Sequence, residues 1–252
     1  MTRTAIISDI HGNAVALRAV IAELDADAID RAVCLGDVCQ GGPKPGECVD
    51  LLAERGWPVV LGNADAFVLD PATAEGSSEV VTDRQLTVRR WTYDRLTPAQ
   101  RGLIAAYAPT VEHDLGDGLT LLACHATPAS YEPIVFPSAP EDEFRAAFDG
   151  TGADVVVCGH IHLPYVRRIG ATLVLNPGSV GLGYDHGQAP ETLRFDSWAA
   201  WTVVTTGGGR FSIELRRTPF DAREVADAHR TSGMPYGDDY ARSWAPARAS
   251  EE

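Results

Sequence analysis

Seven side chains in this sequence have the chemistry of metal ligands, and each lies just past an apolar run: Asp9, His11, Asp37, Asn63, His125, His160 and His162. The densest stretch is VVVCGHIH at residues 155–162, where three valines and a cysteine lead into Gly159, His160 and His162. A β-branched run of this kind reads as a short buried strand. On extended backbone, residues i and i+2 point the same way, so the two imidazoles can converge on one spot. That spot is at the carboxyl end of a strand, where open α/β sheets place their ligands. Taken alone, the stretch reads equally well as two solvated loop histidines. Asp9 and His11 repeat the spacing after residues 4–8, where turn and capping roles compete with metal ligation. Together the set is two carboxylates, one amide and four imidazoles. Mixed oxygen and nitrogen donors suit borderline divalent ions such as Mn, Fe, Co, Ni or Zn. They are too many for one catalytic ion that keeps open positions. They suit two ions about 3.5–4 Å apart that share a carboxylate.

The elements that must position these groups follow from periodicity. Residues 4–8, 29–35 and 57–61 read as strands, and residues 14–24 and 47–55 as helices, with Asn13 as the first helix's N-cap. Strand, polar turn and helix in succession signal a mainly parallel sheet with helices on its faces. Residues 66–109 break this rhythm and read as a helical insertion covering one side of the site. It has helices at 83–95 and 97–107, the latter announced by Thr97-Pro98, and a mobile loop at Gly76, Ser77 and Ser78. A hairpin at 111–124 turns at Gly116-Asp117-Gly118 and ends at His125. A helix at 141–148 precedes the histidine stretch. A second hairpin, 166–169 with 172–175, delivers Asn176, Pro177, Gly178 and Ser179. A third pairs 198–205 with 210–216, and the tail from Asp221 carries one short helix. With no repeat, linker or low-complexity tract, residues 1–252 read as a single domain, with the C-terminal hairpin and tail at about 198–252.

Composition narrows the partners. There are 21 basic against 35 acidic residues, a net charge of −14, which argues against a nucleic-acid or anionic-membrane surface. It leaves room for a small phosphate ligand, because a bound metal inverts the local sign. No apolar run approaches the roughly 18 residues of a membrane span, and the first residues carry no signal-peptide pattern. The five cysteines are odd in number and match no zinc-finger spacing. They read as reduced thiols of a cytoplasmic protein.

The motifs in chain order resemble those of the calcineurin-like metallophosphoesterases. They are D-x-H-G-N (Asp9, His11, Gly12, Asn13), G-D (Gly36, Asp37), G-N-x-D (Gly62, Asn63, Asp65), a lone His125, and G-H-x-H (Gly159, His160, His162). Each is weak alone; five in register over most of the chain are specific. The resemblance implies a four-layer αββα sandwich, two mixed β-sheets flanked by helices. It implies Asp9, His11 and His162 as ligands of one ion, Asn63, His125 and His160 as ligands of a second, and Asp37 as the bridge. It further implies hydrolysis of a phosphate ester by a metal-bridging hydroxide, with Asp37 and His160 in the catalytic centre and Mn the favoured ion.

One departure matters. Many members carry a histidine after G-N that assists the transition state and protonates the leaving group, and here that position is Ala64. Small bacterial and archaeal members that also lack it tend to favour phosphodiesters. An activated leaving group needs less acid help, so phosphodiester hydrolysis is the favoured activity. Phosphomonoesterase or dinucleoside-polyphosphate hydrolase is the alternative. The fold also serves as a protein-binding scaffold in the retromer complex, a reading that loss of the ligands would mark. His186, in a glycine-rich loop, is a candidate substitute acid or an exposed loop residue. Asn13, Asn63, Gly178 and Ser179 are candidates for phosphate contact, against local turn chemistry. His113 and His229 read as surface residues. Trp198, Trp201 and Trp244 offer a candidate surface for self-association.

Overall fold

The computed structural model describes residues 1–70, 82–189 and 192–244. The loop expected at Gly76, Ser77 and Ser78 lies outside the described residues. The chain opens with β1 (Thr2–Ile7), α1 (Ala14–Ala26), β2 (Arg31–Cys34), α2 (Pro45–Arg55) and α3 (Asn63–Leu69). The helical stretch continues with α4 (Asp83–Arg95) and α5 (Pro98–Ala105). Next come β3 (Thr110–Gly116), β4 (Leu119–Cys124), α6 (Glu141–Phe148), β5 (Val155–Val157), β6 (Tyr165–Ile169) and β7 (Thr172–Asn176). The chain then closes with β8 (Trp198–Gly207), β9 (Arg210–Pro219), α7 (Ala222–Thr231) and α8 (Gly237–Ser243).

The strands form two mixed sheets, ordered β2-β1-β8-β9 and β3-β4-β5-β7-β6. The expectation of one mainly parallel sheet is therefore corrected. β1 with β2, β4 with β5, and β5 with β7 are parallel, whereas hairpins supply the antiparallel margins and β8 runs antiparallel to β1. The hairpins brought this about: their tight turns deliver strands to sheet edges without crossover helices.

Three apolar layers hold four structural layers. Ala5 and Ile7 of β1 face Leu17, Val20 and Ile21 of α1. Between them, Ile6 points the other way and meets Leu121, Val155, Val157 and Leu175 of the second sheet. Val156 faces outward to Phe144 and Phe148 of α6. The valine run of β5 needs no alternation because both of its faces are buried. The result is the helix-sheet-sheet-helix sandwich that the motifs implied.

Four other expectations change. Residues 57–61 form no extended strand; they make isolated bridges at Val59 and Val60, because Pro58 has no N–H to offer a ladder. The tail carries two helices, α7 and α8. His229 is not at the surface: it is 2% exposed and stacks on Tyr240 with ring centroids 5.4 Å apart. Trp201 is fully buried, its indole N–H donating to Thr218 Oγ1 at 2.8 Å, and Trp244 is buried against Phe195 and Phe220. Neither can form an exposed contact surface; Trp198 is half-buried under Arg217. Among the described residues no helix is long and apolar enough to cross a membrane.

Candidate metal centre

The seven candidate ligands meet at one end of the two sheets. Asp9 follows β1, Asp37 follows β2, Asn63 begins α3, His125 follows β4, and His160 and His162 follow β5. Six of them form two clusters, Asp9 with His11 and His162, and Asp37 with His125 and His160, whose ligand atoms lie within 4.8 Å of one another. Asn63 joins the second cluster, its Oδ1 2.9 Å from His125 Nε2. The two histidines of the G-H-x-H turn therefore serve different clusters rather than one spot. Extended backbone is not the reason the spacing works. Asp9, His11, Asp37, His160 and His162 all have left-handed φ angles, between 49° and 70°, a conformation that costs about 1–3 kcal/mol per non-glycine residue and concentrates at functional sites.

Asp37 lies between the clusters. Its Oδ1 accepts the Ala64 N–H at 2.9 Å. Its Oδ2 is 3.6 Å from His11 Nε2 and 3.5 Å from His125 Nε2, equidistant as a bridge requires.

The ring orientations test whether cations fit. His11, His125 and His162 donate their Nδ1–H to the carbonyls of Gln40, Leu35 and Leu182 at 2.8, 2.7 and 2.8 Å. Those bonds fix the ring orientations and turn each Nε2 into the site. His11 Nε2 and His162 Nε2 then face each other at 3.1 Å, and His125 Nε2 faces Asn63 Oδ1 at 2.9 Å. A divalent ion between the facing atoms would take the place of a shared proton. His160 is reversed: its Nε2–H donates to Glu132 O at 3.1 Å, leaving Nδ1 for ligation. The residues present fit a pair of divalent ions.

The electrostatics agree. Burial pulls the His125 imidazole down, but Asp37 and Asp9 outweigh it and push the pKa up to about 9. Burial raises the Asp9 carboxyl, yet His162 brings it below its ordinary value. Asp37 is likewise depressed, with His125 overcoming its burial. His11 and His160 are lowered, by burial first and by neighbouring imidazoles second. Ionised carboxylates that draw protons onto buried imidazoles will draw metal cations too.

Two motif glycines have steric reasons. A Cβ at Gly62 would lie 2.1 Å from Asp37 Oδ1, and one at Gly159 would lie 2.0 Å from Ser8 Oγ and 2.7 Å from Asp9 Oδ2. Asp65 is a positioning residue that the sequence reading left without a role. It is fully buried and accepts N–H groups from Asp37 at 2.7 Å, Val38 at 2.9 Å and Gly62 at 3.3 Å. Its place in G-N-x-D, at the third helical residue, was the available signal.

The candidates for phosphate contact divide. Asn13 is buried, its Oδ1 capping α1 at Ala16 N and its Nδ2 donating to Gly181 O. Ser179 is buried, its hydroxyl donating to Asp9 O and accepting from Leu182 N. Gly178 packs under Ala200 and Pro164. All three hold the loops in place and have no free group for substrate; Asn63 alone stands in the site. The exposed His186 donates its Nε2–H to Ile161 O at 2.9 Å, so that proton serves the backbone rather than a leaving group. His113 is half-buried. The cysteines are free and buried, and burial holds thiols such as Cys158 near a pKa of about 12, far from ligation.

Comparison with known proteins bears on this geometry. The family model of the calcineurin-like phosphoesterase superfamily domain matches residues 2–196. The chain is 28% identical over 242 residues to the uncharacterized protein MJ0912 of Methanocaldococcus jannaschii, covering 92% of this chain and 93% of that one. Its fold is similar to that of a metallophosphoesterase from Sphaerobacter thermophilus, with a TM-score of 0.73 at 22% identity over 97% of this chain and 99% of that one. The hypothetical protein PH1004 of Pyrococcus horikoshii gives a TM-score of 0.77 at 17% identity, over 98% and 100% of the two chains.

Proposed function

This chain belongs to the calcineurin-like phosphoesterase superfamily, and on that premise we propose that it hydrolyses phosphodiesters with the help of two divalent ions. The observation that carries the reading is the Asp37 carboxylate, equidistant from two imidazoles of separate clusters. Asp9, His11 and His162 would hold one ion, and Asn63, His125 and His160 the other, with Asp37 shared. When bound, such a pair makes water nucleophilic near neutral pH and offsets charge on phosphoryl oxygens. The protein's part is to orient the donors: backbone carbonyls fix each imidazole, and Asp65 holds the Asp37 turn. Among borderline ions, this mixed donor set takes Mn as the assay ion.

Preference for diesters rests on position 64. Ala64 contributes only a backbone N–H, already given to Asp37, and His186 directs its Nε2 proton at Ile161 O. With neither Ala64 nor the His186 Nε2 proton serving the leaving group, good leaving groups are favoured. The whole chain acts as one unit in this reading, since β8 completes the first sheet beside β1. The buried free thiols are in keeping with a reducing cytoplasm.

The test compares bis-p-nitrophenyl phosphate with p-nitrophenyl phosphate in Mn, with Asp37→Asn as the blank. The expected result is a kcat/KM roughly tenfold or more higher for the diester, reduced to background in the variant. Efficient monoester cleavage would overturn the diester preference. Inertness toward both esters, with metal bound, would return the scaffold reading.

A further inference from the structure

Two loops hang from the G-H-x-H turn, one on each ligand histidine. His160 Nε2–H donates to Glu132 O, which ties the segment carrying Phe136 to the turn. That segment is held again from behind, where Arg167 donates to Pro137 O at 3.0 Å and Ala139 O at 2.7 Å. His162 Nδ1–H donates to Leu182 O, and His186 Nε2–H donates to Ile161 O, which ties down the segment carrying Tyr184 and His186. The rings of the two loops meet. From the ligand His162 outward, Tyr184 lies 5.9 Å away by centroid, His186 lies 4.5 Å from Tyr184 at a 34° tilt, and Phe136 stands edge-on to His186 at 5.7 Å.

This is a continuous strip of aromatic surface that begins at a candidate metal ligand. Its outer end is open: Phe136 is 38% exposed. Phe136 is exposed and Tyr184 half-buried, and among the described residues neither belongs to an apolar cluster of the interior. An aromatic wall beside this centre, with Tyr184 and His186 tilted by 34° and Phe136 edge-on to His186, offers ring faces and edges that match a phosphate joined to a heteroaromatic group. Base stacking on aromatic side chains is sequence-tolerant because every base has a π-face.

We propose that Phe136, Tyr184 and His186 form a stacking platform for the nucleobase of a nucleoside phosphodiester, so that the substrate is a nucleotide ester rather than a simple alkyl one. This rests on the phosphodiesterase reading and adds the substrate class to it. With Nε2–H held on the Ile161 carbonyl, His186 leaves Nδ1 free to meet a polar group of the base.

Calorimetry on the Mn-loaded full chain tests the platform without requiring turnover. Adenosine 5′-monophosphate and ribose 5-phosphate carry the same phosphate and differ in the base. The expected result is tighter binding of the nucleotide by about 5- to 150-fold, with the difference lost in Phe136→Ala and in Tyr184→Leu and kept in Tyr184→Phe. Equal affinities in the unaltered protein would overturn the proposal. So would variants that weaken both ligands alike, which would mark a structural role. Hydrolysis of bis-p-nitrophenyl phosphate by the same preparation reports separately on the phosphodiesterase reading.

Discussion

At Gly62 the volume a side chain would need is already occupied by the Asp37 carboxylate, 2.1 Å from the ideal Cβ position. Gly62→Ala should therefore displace the bridge while leaving the core untouched, because Gly62 has an ordinary φ of −87°. Calorimetric Mn affinity is expected to fall about 10- to 100-fold, the range for groups that orient ligands. Asp65 acts through the same turn. Burial first, and the Asp37 charge second, push its carboxyl up to about 7, yet it collects three N–H groups from two loops. Asp65→Asn keeps the shape and removes one acceptor oxygen. It is expected to lower kcat on bis-p-nitrophenyl phosphate about 10- to 100-fold, with unfolding free energy reduced by about 1–3 kcal/mol. If kcat were unchanged while stability fell, Asp65 would be a fold residue only. The ligand types were legible in the sequence because oxygen and nitrogen donors recur after apolar runs. Their geometry was not, because i, i+2 spacing assumes extended backbone. Asp9, His11, His160 and His162 are left-handed instead, a backbone state that donor types and spacing do not reveal.

Helices and strands carry their own consequences. α7 presents His229 to the interior against Tyr240 of α8, its Nδ1 without a hydrogen-bond partner. The four-residue spacing from Val225 puts His229 on the apolar face of α7, but the run DAHR alone does not say that α8 and Trp244 cover that face. Burial lowers the His229 pKa from 6.5 to about 4. The folded state therefore binds its proton later than the unfolded chain on acidification. Between pH 6.5 and 4 the unfolded state holds the extra proton, so stability falls as pH falls. At about 1.4 kcal/mol per unit, this one group removes about 3 kcal/mol across the window and nothing above it. Carboxylates contribute to the same slope, so the measurement is a difference. Urea unfolding at several pH values is expected to show a shallower acid loss in His229→Phe than in the unaltered chain. Equal slopes would mean that α7 and α8 open before the histidine titrates. Other elements were read correctly for simple reasons: α4 and α5 begin at Thr82 and Thr97 with capping boxes, which are local signals. The bridge at Val59 and Val60 was over-read as a strand because apolar content alone does not supply ladder donors.

The arrangement of the whole molecule is the part least visible in one dimension. Strand and helix alternate in the first sixty residues and suggest a single parallel sheet. The pairing of β8 beside β1, some two hundred residues apart in sequence, is fixed by the apolar layers they share with α1 on one face and the second sheet on the other. Hydrophobic pattern says that a strand is buried, not on what. The candidate ligands span this division: Asp9 and Asp37 leave the first sheet, and His125, His160 and His162 leave the second. Five left-handed residues concentrate local strain on that seam. A pair of ions there would clamp one sheet to the other, and the folded chain alone would offer the complete donor set. Binding to the native state only stabilises it by about 2.7 kcal/mol per site at a hundredfold excess over Kd. For a chain of this length each kcal/mol moves Tm by about 2–4 °C, so each ion is worth roughly 5–11 °C. Chelation with EDTA, which removes both ions, is expected to lower Tm by about twice that amount and Mn to restore it. In Asp37→Asn, which removes charge from the shared position, most of the shift should disappear. A chelator-insensitive Tm in a protein that still binds Mn would mean that the unfolded chain holds Mn equally well, and that the complete donor set is not a property of the folded seam.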